Sequence, residues 1–298
     1  MSEKTCGTNT HCQSCSSAGT CSAEEKERHA QQLIDNTLKN IKHTFMVLSG
    51  KGGVGKSSVS VNLAATLAEQ GKVVGILDAD IHGPNIPKML GVEERRPCAA
   101  PGPVDGILPI EVGSNLRVMS IGFFLNREED AIIWRGPMKH GLMKQFLGEV
   151  QWGALDYLVI DLPPGTGDEA LSIAHLIKKV HGALIVTTPQ DVALLDSKKS
   201  ISFCRELKIP LIAVVENMSG MRCPHCNKEI NLFKVGGGER IAKKMKVPFL
   251  GRVPLDPAMV LCTDEGRPFV IAHPDSPVAE AFRSIAHAWK KLLNDSNR

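Results

Sequence analysis

Aromatic side chains make up only 4% of this 298-residue chain, with one tyrosine among them. Aliphatic packing must therefore build the core, and a surface that grips single-stranded nucleic acid by base stacking is excluded. An excess of one charge is missing as well. Lys and Arg number 35 against 32 Asp and Glu, a net charge of +3, too weak a field to hold a phosphate backbone or an anionic bilayer. No apolar run approaches the roughly 20 residues that cross a membrane. The opening MSEKTCGTNTHCQSC lacks the apolar stretch of a secretory leader. These absences predict a soluble, cytoplasmic protein with neither nucleic acid nor membrane as a partner.

What is present is an ordinary globular balance, 43% hydrophobic and 22% charged, which excludes disorder of the whole chain. Nine cysteines, an odd number, point to reduced thiols and metal chemistry rather than a disulfide scaffold. Composition divides the chain. Residues 1–22 read as a cysteine-rich segment with almost no aliphatic content to pack, so it is either a plain tail or one that a ligand orders, and its four cysteines suggest a metal. Residues 23–43 read as a connecting helix: Ser22 and Glu25 have capping-box spacing, and Leu33, Ile34, Leu38 and Ile41 follow at helical period. From 44 to 295, short β-branched runs at 45–48, 73–77, 157–160, 183–186 and 211–215 alternate with helical patterns at 57–70, 137–149, 169–178 and 192–207. Strands apolar on both faces, separated by helices, predict a doubly wound, mostly parallel α/β sheet. A last helix is expected at 277–293.

The strongest motif is Gly50-Lys51-Gly52-Gly53-Val54-Gly55-Lys56-Ser57, followed by Ser58. It stands between a strand and a helix, the setting of a P-loop, in which backbone N–H groups and a helix N-terminus cradle phosphates. Lys56 is expected on the β- and γ-phosphates of ATP and the Ser57 hydroxyl on Mg²⁺. Asp78 and Asp80 end the second strand, at the sheet edge where such folds bind ligands. Asp80 is expected to orient the attacking water, and Asp161, after the third strand, to hold Mg²⁺ through water. Gly165 and Thr166 are the expected γ-phosphate sensor, with 161–168 as the link from nucleotide to cysteines. Asn217, after the strand at 211–215, offers an amide for the adenine edge, and the backbone near Pro254 lies on the same side. The guanine motif NKxD is absent, which favours ATP.

Cys223-Pro224-His225-Cys226 supplies two thiolates in a turn, half of a tetrahedral metal site. A symmetric dimer would supply the other half. Zinc and an iron–sulfur cluster both suit four thiolates, and an unliganded redox pair is the plain alternative. The tail carries Cys6, Cys12, Cys15 and Cys21, a second expected metal site for which spacing does not choose between zinc and iron–sulfur. Cys98, Cys204 and Cys262 stand alone and read as buried or incidental thiols.

The loop GKGGVGKS, with its early Lys51, resembles the deviant Walker A loop of the MinD/ParA class. There the early lysine reaches the partner's phosphates across a nucleotide-sandwich dimer. GKGGVGKSS, LDADIHGPNIPKMLG, IDLPPGTGD, VTTPQDVALLD, VVENMSG and MRCPHC, in that order, resemble the Mrp/ApbC family of iron–sulfur cluster carrier ATPases over residues 40–290. CQSCSSAGTC resembles the cluster-binding segment of Nbp-type scaffolds, although the gap from Cys6 to Cys12 is shorter here. The resemblance implies a homodimer that holds a [4Fe–4S] cluster between its two CPHC loops and passes it to apo iron–sulfur recipients. A separate cluster donor and a second cluster in the tail belong to the same expectation. The competing functions are a MinD/ParA-type positioning ATPase, whose last helix would rest on a membrane, and a zinc-stabilised nucleotide switch.

Overall fold

The computed structural model describes residues 22–100, 106–125, 136–223 and 225–296. Helix α1 spans Ala23–Lys39 and strand β1 Ile41–Leu48; α2 (Lys56–Glu69), β2 (Val74–Asp78) and α3 (Ile86–Met89) follow. Next come β3 (Ile110–Val112), β4 (Leu116–Ser120), α4 (Gly136–Gly148), β5 (Leu155–Asp161) and α5 (Asp168–Leu176). The second half contains β6 (Gly182–Thr187), α6 (Asp191–Glu206), β7 (Ile212–Glu216), and the short β8 (Met221–Arg222) and β9 (Glu229–Ile230). It closes with α7 (Gly237–Lys244), β10 (Phe249–Arg252), α8 (Ala258–Asp264), α9 (Phe269–Ala272) and α10 (Pro277–Ser296).

Eight strands form one sheet in the order β10-β7-β6-β1-β5-β2-β4-β3. Among the described strands of this sheet only β3 runs antiparallel, in a hairpin with β4. This is the doubly wound, mostly parallel sheet that the alternating pattern predicts. Beta1 lies between β5 and β6, so the chain leaves its carboxyl end where the strand order reverses, the crevice position of open α/β folds. Strands β2, β6 and β7 are buried along their whole length. Strands β3, β4 and β10 lie outside the five expected runs. They occupy the two margins of the sheet, where short, partly polar strands leave little apolar signal.

Ser22 caps α1 as its spacing predicts: the Glu25 N–H donates to Ser22 Oγ at 3.2 Å, and the Ser22 N–H to Glu25 Oε2 at 2.6 Å. The helix stops at Lys39, however, short of the expected 43. Ile41 opens β1 instead, opposite Leu155 of β5, because pairing a β-branched residue in a buried ladder outweighs the helical period. Alpha1 is docked on the sheet's outer layer: Ile34 is fully buried, Thr37 Oγ1 donates to the Gly148 carbonyl at 3.2 Å, and Glu27 pairs with Lys144 of α4. At the other end, Val278, Phe282, Ile285 and Trp289 of α10 are buried. Trp289 meets Phe45 edge-on at 5.2 Å, and a Cβ on Gly182 would lie 2.7 Å from its ring. The apolar face of α10 thus belongs to the core. No helix among the described residues is long and apolar enough to cross a membrane.

Beneath the sheet's amino edge, His43 stacks on Tyr157 at 5.4 Å and meets His181 edge-on at 5.6 Å. Burial lowers the pKa of both imidazoles below the ordinary value; nearby Lys42 adds to this at His43 and His43 itself at His181, while Asp156 opposes it at His43. The unfolded chain then binds protons that the fold refuses. Their contribution to stability is complete above about pH 6.5 and is lost as the pH falls through the lowered values. We expect the melting temperature to drop between about pH 7 and 5. His43→Phe should flatten that dependence, since the ring stack survives and His43 Nδ1 is buried without a hydrogen-bond partner. An unchanged slope in thermal melts would contradict this assignment.

Candidate functional site

Leaving β1, residues 49–55 wrap around a point above the sheet edge and enter α2. The wrap depends on glycine at particular positions. A Cβ on Gly50 would lie 2.3 Å from the Asp196 carbonyl carbon, so α6 backbone abuts the loop's start. Gly53 and Gly55 both take φ 78°, the left-handed conformation that glycine adopts freely. Gly55 also presses on Asn217, whose Nδ2 donates to the Val54 carbonyl at 2.9 Å. The amide expected on the adenine edge therefore first clamps the loop. No side chain caps α2 at Gly55, which leaves its first N–H groups for an anion.

Beneath the loop stands Asp161, with no exposed surface. Three groups of α2 donate to its carboxylate, each at 2.6 Å: Lys56 Nζ, Ser57 Oγ and Ser60 Oγ. Ser60, four residues after Lys56 and hence on the same helix face, is absent from the residues expected on sequence grounds. Asp80 Oδ2 lies 4.0 Å from Lys56 Nζ. Burial pushes the Asp80 pKa above its usual range, Lys56 pulls it down, and Asp161 raises it again. Asp78 pairs in register with Asp161 across β2 and β5. Full burial and that neighbouring carboxylate push Asp78 up to about 7, while Ser120 Oγ donates to it at 2.8 Å. The hydroxyl of Ser57 beside the Asp161 carboxylate is an all-oxygen donor set, the chemistry that Mg²⁺ prefers. Gly165 N donates to the Ser49 carbonyl at 2.8 Å, tying the segment after β5 to the start of the loop.

Beside the loop, a cavity of about 180 Å³ is lined by Gly55, Ser58, Asn217, Met218, Pro254 and residues of α8. It brings Asn217 and Pro254 together next to the loop's last glycine. Lys51, half-buried, makes no hydrogen bond or ion pair with another described residue.

The cysteine pair sits at the tip of the β8–β9 ribbon. Cys223 N donates to the Lys228 carbonyl at 2.9 Å, and Asn227 N to the Cys223 carbonyl at 2.8 Å. Cys223 is half-buried and Cys226 exposed. Backbone N–H groups of Cys226 and His225, then the Cys226 side chain, hold the Cys223 thiol below its ordinary pKa, which favours the thiolate. Cys223 also lines a cavity of about 720 Å³ with Arg222, His225, Arg252 and Asp256. Among the described residues, no three His, Cys, Asp or Glu side chains converge as a metal site. The described residues therefore bring two thiols to the ribbon's tip and no third such ligand. The ribbon's base hangs on Glu216, a fully buried carboxylate that accepts from Ser219 Oγ, from Gly236 N at 2.8 Å and from Gly238 N. Leu255 N donates to the Gly220 carbonyl at 2.8 Å and fixes the ribbon's other side. Of the lone thiols, Cys204 and Cys262 are buried and Cys98 is exposed. The tail cysteines Cys6, Cys12, Cys15 and Cys21 lie outside the described residues.

The packing of the loop separates its glycines experimentally. Gly50→Ala should destabilise the fold by about 1–3 kcal/mol through the clash with α6. Gly52 has open space around its would-be Cβ, so Gly52→Ala should stay within about 0.5 kcal/mol of the parent. Urea midpoints of the two variants measure the difference, and equal midpoints would refute the contact.

The chain is similar to several known proteins. It is 51% identical over 276 residues to the iron-sulfur cluster carrier protein of Methanocaldococcus jannaschii, covering 92% of this chain and 93% of that one. It is 47% identical over 259 residues to a cytosolic Fe-S cluster assembly factor NUBP2 homolog of Nematostella vectensis, covering 85% and 94%. A nucleotide-binding protein of Archaeoglobus fulgidus, solved in complex with ADP, superposes with a TM-score of 0.70 at 39% identity, over 80% of this chain and 91% of that one. Residues 40–290 match the ParA family profile described as NUBPL iron-transfer P-loop NTPase. The chain belongs to that family of P-loop NTPases.

Proposed function

We propose that this protein is an ATP-dependent iron–sulfur cluster carrier, a homodimer that holds one [4Fe–4S] cluster between its two Cys223/Cys226 pairs and delivers it to apo-proteins. The observation that carries this reading is a pair of thiols, Cys223 half-buried and Cys226 exposed, on a ribbon rooted in β7, the strand whose end also clamps the P-loop. The names of the relatives support the cargo. Recipient thiolates would replace those of Cys223 and Cys226, so the cluster changes ligands without a change in electron count. The four tail cysteines are a proposed second cluster site.

In the nucleotide site, Lys56 and the N–H groups of residues 50–58 would hold the phosphates of ATP, with the base in the cavity beside Asn217 and Pro254. Ser57 and Asp161 would hold Mg²⁺, which supplies charge neutralisation to the β- and γ-phosphate oxygens. Asp80 would orient the water that attacks the γ-phosphorus, displacing ADP. Lys51, with no partner among the described residues of its own chain, would reach the phosphates bound by the second copy. Val192 and Leu195 are 65% and 58% exposed in the first turns of α6, next to the Asp196–Gly50 contact. They supply apolar surface for that copy. The joint at Glu216 and Asn217 supports coupling between hydrolysis and the grip on the cluster.

Two measurements test the reading. Lys56→Ala should lose ATP binding, whereas Lys51→Ala and Asp80→Asn should bind ATP but lose most hydrolysis, because clamp and water matter in the transition state. Wild-type turnover by Lys51→Ala would remove the cross-dimer role. After anaerobic reconstitution, Cys223→Ser or Cys226→Ser should lower the iron content by about two per chain, half of one shared four-iron cluster. Unchanged iron in these variants, or zinc in place of iron, would overturn the bridging cluster.

A further inference from the structure

The segment carrying Asp80 leaves β2 as an irregular loop, residues 79–85, and the segment opposite leaves β5 as residues 162–167. Close to the sheet the main chain holds the two together, with Ala79 N donating to the Asp161 carbonyl at 2.9 Å. On its inner side the Asp80 loop is pinned by Ile81, which is buried, and by Asp80 N on Asp78 Oδ1 at 3.2 Å. Farther out a third element spans the two segments. Lys139 Nζ, on the first turns of α4, bonds both His82 Nε2 of the Asp80 loop and Glu169 Oε1 of α5. His82 Nε2 lies 3.4 Å from the same Glu169 oxygen.

The three groups form a bridge that is largely covered at Lys139, partly covered at Glu169 and open to solvent at His82. A lysine ammonium only donates, so His82 must present its lone pair at Nε2 and carry its proton on Nδ1. The Lys139 side chain is only 14% exposed. It stands four residues before Met143 and seven before Phe146, both buried, so the core anchors the helix face it shares. Gly167 gives α5 no side-chain cap, and Glu169, in the helix's first turn, is committed to Lys139. Both ends of the bridge are loop-to-helix positions whose backbone no sheet ladder fixes.

We propose that Lys139 is a positioning residue for ATP hydrolysis, joining the Asp80–His82 loop to the start of α5 so that the two segments flanking the γ-phosphate keep one spacing. The proposal rests on the reading that Asp80 orients the attacking water. Lys139 touches neither nucleotide nor water in this scheme; it acts through His82 and Glu169. Loss of the bridge should therefore leave nucleotide affinity intact and slow the chemical step.

Steady-state ATPase assays on the full chain test this. Lys139→Met keeps the hydrocarbon stem and removes the donors, and should lower kcat roughly ten- to a hundredfold, the effect of a misplaced catalytic geometry. The KM for ATP should stay within about twofold, as for an interaction felt only in the transition state. Lys139→Arg, which offers donors to both acceptors, should recover most of kcat. His82→Ala combined with Lys139→Met should be no slower than Lys139→Met alone, as for residues in one unit. Wild-type kcat in Lys139→Met, with Asp80→Asn inactive, would overturn the role of Lys139 and leave the reading of Asp80 standing. Wild-type turnover in both variants would overturn both. A fall in kcat matched by lost ATP affinity and not rescued by arginine would mark Lys139 as merely structural and overturn the proposal.

Discussion

Asp161 is an ionisable carboxylate with no exposed surface, and a buried anion persists only where donors replace its water. Here all three replacements, Lys56, Ser57 and Ser60, come from the first two turns of α2. They reach it because Gly55, in the left-handed conformation, turns the chain into the helix directly over the end of β5. Satisfying one buried charge and shaping a phosphate loop are thus the same geometric requirement. Removing Lys56 would leave the carboxylate with two hydroxyl donors and no countercharge, a cost of up to about 3–5 kcal/mol for a broken buried pair. The lysine that would meet phosphate is also a fold residue.

A second joint lies at the end of β7. Glu216 and Asn217 are adjacent, so their side chains leave the strand in opposite directions. Asn217 grips the P-loop at the Val54 carbonyl, while Glu216 gathers Ser219, Gly236 and Gly238 at the root of the cysteine ribbon. One peptide bond therefore separates the side chain that holds the P-loop from the side chain that holds the root of the cysteine ribbon. The segment 161–168, expected to make this link, makes its described long-range hydrogen bonds to the P-loop, to α2 and to the neighbouring strands, through Asp161, Leu162 and Gly165. Just beyond it, Glu169 turns toward Lys139 of α4.

The parts of this arrangement that are legible in the sequence are those with local causes. Glycines at 50, 53 and 55, a lysine and a serine at fixed spacing, and a strand before a helix make the P-loop visible without coordinates. The capping box at Ser22 is equally local. Ile41 misleads because its spacing from Ile34 and Leu38 fits a helix, while its partner in the sheet, Leu155, lies more than a hundred residues away. Ser60, Asp196, Glu216 and Lys139 share that difficulty. Each acquires its task from a distant segment, and nothing in its neighbours announces it. Asn217 was visible as a polar residue at a strand end, yet only the packing reveals that its amide holds Val54.

Two features of the single chain lack a counterpart among the described residues. The ribbon presents two thiols where a tetrahedral metal site needs four ligands. Lys51 sits at the P-loop with no partner among the described residues. A twofold axis presents every such group twice, so under the proposed function one axis completes both sites. The consequence concerns cluster release. A dimer joined only through its cluster would separate into monomers on transfer, whereas one also joined by Lys51 across two nucleotides would stay together. The nucleotide would then decide whether delivery ends with an intact dimer ready to reload or with two free half-sites. Hydrolysis, by weakening the lysine–phosphate contact at one end of the axis, would favour separation at the other.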